Sequence, residues 1–253
     1  MPPLAATLAP LGEDPVAGLE VLRAIGYRAV QLSATQPGMR PRELDASSRR
    51  DLSVRLRRLE MRCAGLDLWI PPEHFANPVH AERALDAMNQ AISLAADLGR
   101  VAVSTALPAQ TEANAQLLRD VRAMISGAAA HAGVEIADHG SDAVKGAWEG
   151  SAGDPMGVGI DPAMLLSIGE DPVLSVARCA KRLRAARIVD MLQSGMRAPP
   201  CEADGARLRL DEYVLALAGG GFRRSPVADA RNWHHPRAGL ERVRALWPEE
   251  SES

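Results

Sequence analysis

Apolar runs of four to seven residues alternate along the chain with longer segments whose apolar positions recur every three or four residues. Parallel strands buried on both faces, separated by helices that cover them, give this alternation. The strands it predicts are Leu4 to Leu8, Tyr27 to Leu32, Cys63 to Trp69, Val101 to Ser104, Val134 to Ala137, Gly157 to Ile160, Arg187 to Asp190 and Pro226 to Asp229. Asp14-Pro15 reads as a helix cap followed by proline at the first helical position. Val16, Leu19, Leu22 and Ile25 then share one face, and Gly26 is the stop. A second helix carries Leu52, Leu56 and Leu59. A long third opens at Asn77-Pro78, carries Leu85, Met88, Ile92 and Ala95, and closes at Gly99. Thr111 is the candidate cap of a fourth helix, whose buried face reads Leu117, Val121, Met124 and Ala128. Helices after Asp171-Pro172, over Leu210 to Leu217 and over Pro236 to Trp247 complete the pattern. Residues 140–156 lack periodicity and are rich in glycine, which predicts a long mobile excursion, and 248–253 read as a disordered tail.

Eight such strand and helix turns in 253 residues, with no Pro/Ser-rich linker, make a closed (β/α)8 TIM barrel the economical architecture. The expectation is one α/β domain over residues 1–253. A doubly wound open sheet is the alternative. Against it, no glycine-rich turn follows the first strand, which runs into Pro10, Leu11 and Gly12.

Composition narrows the function classes. Hydrophobic residues make up 47% and charged residues 24%, which excludes a wholly disordered chain. A net charge of −3 leaves no cationic surplus to neutralise phosphates, so nucleic acid is not an expected partner. Cys63, Cys179 and Cys201 are widely spaced, which supports neither a disulfide framework nor a zinc knuckle and fits a reducing compartment. The first residues lack a basic stretch before an apolar one, and no run approaches membrane-spanning length. A cytoplasmic chain without a membrane partner is expected.

In a parallel barrel the chemistry gathers at the carboxyl ends of the strands. Gln31, Ser33, Asp67, Ser104, Asp138, His139, Asp161, Arg187, Asp190 and Asp229 end the apolar runs here, with Arg231 and Trp233 just beyond. Side chains alternate along a strand, and the outward ones must be apolar beneath the helices. Val134, Ile136 and Ile160 therefore point outward, while Glu135, Ala137, His139 and Asp161 point in, and Val227 shares a face with Asp229. Ile188 as an outward residue places Arg187 inside and leaves Asp190 at the rim. Asp161, Arg187 and Asp229 are thus expected to converge with Gln31 and His139, two carboxylates around one guanidinium satisfying each other without a metal.

Plainer roles stand beside these. Asp161-Pro162 has the helix-capping form of Asp14-Pro15, Asp229 suits a structural ion pair with Arg187 or Arg231, and His139 stands where the excursion begins. Trp69 and Trp233 are candidate pocket walls or packing under a loop. Arg197, in the segment SGMRAPP after strand seven, sits where barrels hold a phosphate or carboxylate, the alternative being an exposed arginine. The catalytic candidates are His139, Asp161, Arg187 and Asp229. The substrate-binding candidates are Gln31, Asp67, Trp69, Asp138, Arg197, Arg231 and Trp233, and no residue is assigned to a metal.

The segments GLEVLRAIGYRAVQLS, DAMNQAISLAADLGRVAVST, AAAHAGVEIADHG, GVGIDPAMLLSIGEDP and ARIVDMLQSG together resemble the sugar phosphate isomerase/epimerase superfamily of xylose isomerase-like TIM barrels. The resemblance runs from about residue 4 to residue 247. It implies a divalent-metal site built from a glutamate ending strand five, an aspartate ending strand six, a histidine at strand seven and a glutamate ending strand eight. This chain departs from that set. Ala137 stands at the first glutamate, Met164 where Asp-x-x-His places a histidine, Arg187 at the strand-seven histidine, and the shorter Asp229 at the last glutamate.

One ligand is deleted and another exchanged for a cation, so Arg187 is expected to take the metal's electrostatic place between Asp161 and Asp229. No cofactor is expected, apart from a divalent metal if the family site survives. The resemblance implies an isomerase or epimerase acting on a small sugar or sugar phosphate. A non-catalytic barrel binding a metabolite or a protein is the alternative. Apurinic endonuclease activity, also found in the superfamily, needs several zinc ions and many His and Glu ligands, against which the chain has six histidines. The sequence is compatible with a homo-oligomer.

Overall fold

In a computed structural model, residues 2–146, 153–200 and 205–247 are described. Eight parallel strands close a barrel: β1 (Ala5–Thr7), β2 (Ala29–Ser33), β3 (Arg62–Asp67), β4 (Val103–Thr105), β5 (Ile136–Asp138), β6 (Met156–Ile160), β7 (Leu183–Ile188) and β10 (Val227–Ala228). Between the last two, β8 (Asp190–Met191) and β9 (Arg197–Ala198) form a small antiparallel pair. β1 closes the ring by pairing with both β2 and β10. The architecture is the (β/α)8 barrel that the alternating pattern predicts.

The helices are α1 (Pro15–Ile25), α2 (Ala46–Arg58), α3 (Pro78–Asp97), α4 (Ala115–Ala132), α5 (Ser141–Lys145), α6 (Pro162–Ser167), α7 (Pro172–Cys179), α8 (Leu210–Gly219) and α9 (Pro236–Leu246). Aspartate-proline junctions start three of them. Asp14 accepts from the N–H of Val16 and Ala17, and Asp171 from those of Val173 and Leu174, satisfying donors the first helical turn leaves free. Gly26 ends α1 with φ +103°, where a side chain would be strained.

Two apolar layers result. Leu19, Leu22, Val30, Met88, Ile136, Val158, Ile160 and Leu240 belong to the core between strands and helices. Inside the barrel, Ala5, Ala29 and Val227 form a separate cluster of small side chains with Ala64 against it, at matched register. This plug closes the amino-terminal end, so polar groups gather at the other.

Several sequence expectations are corrected. Strand seven runs over Leu183–Ile188 rather than from Arg187 to Asp190. Its run is interrupted by Arg184, whose charge is met by Glu135 at 3.0 Å, so the strand does not read as apolar. The buried face of α4 is Leu118, Val121, Ile125 and Ala129, and Met124 is exposed. Thr111 does not cap that helix; its N–H donates to Asn114 Oδ1 instead. Within the expected excursion, Ser141–Lys145 forms α5, with Ala143 and Val144 buried, and β6 already begins at Met156. The remainder, 147–152, lies outside the described residues, as does 248–253. Among the described residues no helix is long and apolar enough to cross a membrane.

Candidate active site at the barrel mouth

Strand alternation delivers the expected convergence. Ile160 packs outward, so Asp161 turns in at the end of β6; Val227 belongs to the inner plug, so Asp229, two residues on, points into the mouth. Arg187 lies opposite Val227 in the β7–β10 register. Its Nη1 is 3.0 Å from Asp161 Oδ2 and 3.2 Å from Asp229 Oδ2, and its Nη2 is 3.1 Å from Asp67 Oδ1. Three carboxylates thus surround one buried guanidinium.

Two further arginines close this cluster from above. Arg197, on β9, bridges Asp161 at 3.1 Å and Asp229 at 2.7 Å. Arg231 bridges Asp67 at 2.8 Å and Asp229 at 2.6 Å. The plain reading of Arg197 as an exposed side chain is therefore overturned. Asp161 both joins this cluster and caps α6, its Oδ1 accepting from the Met164 N–H at 3.2 Å.

The environments of the acids differ. Burial works to raise the Asp161 carboxyl, but Arg197 and Arg187, with His139, override it and hold the group below the ordinary carboxylate range. Burial pushes Asp229 up to about 7 against the pull of Arg187 and Arg197, and pushes Asp67 upward against Arg187. Burial, assisted by Arg187, keeps His139 neutral far below its usual range. Among the described residues neither imidazole nitrogen has a hydrogen-bond partner.

The other candidates separate. Gln31 lies in the barrel, donating to Ser104 Oγ at 3.4 Å with Oε1 unpaired. Asp138 is tied to backbone: Oδ1 accepts from the N–H of Leu107 and of Gly140, and burial pushes the group up to about 6. Trp69 is 54% exposed, with the Arg231 guanidinium 4.5 Å from its ring centroid. Trp233 does not wall the mouth; it is buried against Gly239, where an added Cβ would meet its ring. Asp190 is not a rim group either. It is fully buried and accepts from the N–H of Met191, Arg207 and Leu208.

Sequence reasoning missed Tyr213, which reads as an ordinary apolar position of α8. Its hydroxyl is buried without a partner among the described residues, and burial and the charge of Asp161 push its pKa far upward.

A cavity of about 520 Å³ opens over the network, lined by Trp69, Arg197, Arg231 and Asn232 with Pro10 and Pro236 among the apolar residues. Arg197 and Arg231 stand between it and the carboxylates.

The fold has many solved counterparts. A xylose isomerase domain protein from Planctomyces limnophilus superposes with a TM-score of 0.77 at 15% identity, covering 97% of this chain and 94% of that one. An L-ribulose 3-epimerase gives 0.76 at 16%, covering 97% and 93%. The probable 3-DHS dehydratase AsbF of Bacillus anthracis, described as involved in petrobactin synthesis, gives 0.76 at 10%, covering 97% and 98%. No protein-family model and no curated protein matches the sequence. At these identities the likeness establishes a xylose isomerase-like TIM barrel fold.

Proposed function

We propose that this protein is a sugar phosphate isomerase/epimerase-like enzyme that acts on a small carbohydrate or other polyhydroxylated substrate at the barrel mouth, without a divalent ion. The observation that carries this reading is Arg187 seated between Asp161 and Asp229 at 3.0 and 3.2 Å. A divalent ion needs several oxygen or nitrogen lone pairs converging on one point. Here those of Asp161 and Asp229 already accept from Arg187, Arg197 and Arg231, so the residues present do not fit an ion. Among the described residues, no three His, Cys, Asp or Glu side chains are arranged to hold one.

The chemistry assigned is proton exchange at a carbon next to a carbonyl. Asp229, poised near neutrality, takes the proton from carbon as the C–H pair becomes the C=C bond of an enolate and the carbonyl π pair moves onto oxygen. Arg187 stabilises the resulting enolate oxygen, its guanidinium fixed by Asp161 and Asp67. Delivery of a proton from water to the opposite face gives an epimer, Asp229 then losing its proton to solvent; return of the proton from Asp229 to the neighbouring carbon, with the hydroxyl proton passing between the two oxygens, gives an isomer. His139, neutral and unpaired, offers a hydrogen-bond partner to a substrate hydroxyl. Gln31, Trp69, Arg197 and Arg231 are assigned to substrate. The epimerase named above supports the reaction class. Free thiols at Cys63 and Cys179 fit the reducing, cytoplasmic setting expected from the sequence.

The test is incubation with sugars, sugar acids and sugar phosphates in deuterium oxide, followed by mass spectrometry. One non-exchangeable deuterium should enter a substrate, Asp229→Asn should abolish its entry, and added Mn²⁺ should not stimulate it. Absence of exchange across the panel sinks the proposal. A second reading, a binding barrel without catalysis, is favoured by the complete burial of Asp229 beneath Arg197 and Arg231. Binding without exchange would select it.

A further inference from the structure

Acids and bases are matched in number at the mouth but not in position. Asp67, Asp161 and Asp229 are buried, whereas Arg197 and Arg231 line the cavity with side chains 18% and 16% exposed. No acidic side chain lines that cavity among the described residues. A ligand entering it meets two guanidiniums, an amide and an indole.

Hydrogen-bonding capacity is equally one-sided. Both oxygens of Asp67 accept from arginine, from Arg187 and Arg231. Those of Asp161 accept from Met164, Arg187 and Arg197, and those of Asp229 from Arg197 and Arg231, with Arg187 at 3.2 Å. The carboxylate acceptors are occupied, and among the described residues lining the cavity only the Asn232 amide offers a side-chain acceptor. A guanidinium carries more N–H donors than these contacts use. A neutral polyol needs acceptors as well as donors, and an anion needs donors alone. The Arg231 guanidinium is also held in one orientation, over the Trp69 ring and with its Nε–Nη2 edge on Asp229, which leaves one N–H each of Nη1 and Nη2 for a ligand. A planar fork fixed in this way suits a carboxylate or phosphate.

We propose that the mouth cavity binds an anionic ligand, its carboxylate or phosphate gripped by Arg197 and Arg231 and its body laid against Trp69. This deepens the substrate class of the enzyme reading and rests on the mouth being its substrate site. The anion competes with Asp161 and Asp229 for the same two guanidiniums, so its arrival loosens the cover over the buried carboxylates. A neutral ligand cannot exert that pull. The two arginines therefore select for charge and open the way to Asp229 in one event.

The experiment is titration calorimetry on the full chain with D-glucose, D-gluconate and D-glucose 6-phosphate. At least one of the two anions should bind ten or more times tighter than D-glucose, and which of them does so separates carboxylate from phosphate recognition. The advantage should shrink at high salt. Arg197→Gln and Arg231→Gln should each weaken anion binding tenfold or more. If either fails to fold, Trp69→Ala replaces it as the test, because Trp69 is exposed and its loss leaves no buried carboxylate unpaired; it too should weaken binding.

A second basic cavity at the opposite end of the barrel, lined by Arg28, Arg57, Arg62 and Arg244, supplies the control. Anion binding lost on Arg28→Ala/Arg57→Ala and kept in the mouth variants overturns the inference, as does equal binding of D-glucose or no anion binding at millimolar concentration. Anion binding without deuterium exchange upholds the inference and ends the isomerase reading. Exchange on a neutral sugar with no anion preference does the reverse.

Discussion

His139 lies so close against Gly159 that a Cβ built on the glycine would overlap Cε1, Nε2 and Cδ2 of the imidazole. The glycine of β6 thus makes the space that the residue just after β5 fills. Its backbone does not need positive φ, and the requirement is for room alone.

Gly159→Ala should therefore destabilise the protein by about 1–3 kcal/mol, the usual cost of forcing an extra methyl group into a packed interior. Urea unfolding of Gly159→Ala, His139→Ala and the double variant gives the check. The methyl added by Gly159→Ala should cost much less once the ring is gone. Additive losses would mean that the two residues do not share this space.

Arg187→Met should cost about 3–5 kcal/mol, because it strips a partner from three buried carboxylates at once. Adding Asp161→Asn should cost less than its separate effect, since the second change removes one of the charges the first left behind. Denaturant midpoints of the three variants decide this. Loss of the full sum would argue against a shared network.

His139 supplies a pH signature. Its folded-state pKa lies well below 6.5, so on acidification the unfolded chain takes up a proton that the native chain refuses. Stability is unaffected by this group above about pH 7 and falls as the pH drops below about 6.5, by about 1.4 kcal/mol per pH unit. Burial of Asp138 and Asp229, whose pKa values are raised to about 6 and about 7, acts in the opposite sense over the same range. The difference between wild type and His139→Gln isolates the histidine. Parallel stability curves from pH 7 to pH 5 would refute it.

Asp190→Ala should leave the N–H groups of Met191, Arg207 and Leu208 without their acceptor and cost about 1–3 kcal/mol. Asp190 sits on β8, which pairs with the strand bearing Arg197, so anion binding should weaken as well. Unfolding and calorimetry on the same variant test both. A stability loss with unchanged binding would separate the hairpin from the cavity.

The barrel was legible in the sequence because eight apolar runs and seven helical stripes each had to be buried, and one closed arrangement buries them all. Inward and outward faces followed from period-two alternation, which is why Asp161, Arg187 and Asp229 could be placed together. The start of β7 was hidden by Arg184, whose charge is met by Glu135, a partner distant in sequence. The face of α4 was misjudged because both Leu117 and Leu118 are apolar, and only packing selects Leu118.

By itself, then, the sequence determined the fold and the list of polar residues at the strand ends, since burial and alternation are local constraints repeated along the chain. Only the tertiary structure decided how those residues pair. Arg197 and Arg231 come to cover the buried aspartates, Trp69 reaches the cavity while Trp233 does not, and Asp190 turns to backbone amides. Each outcome depends on how a loop returns across the barrel's open end, and loops carry no periodicity from which that path can be read.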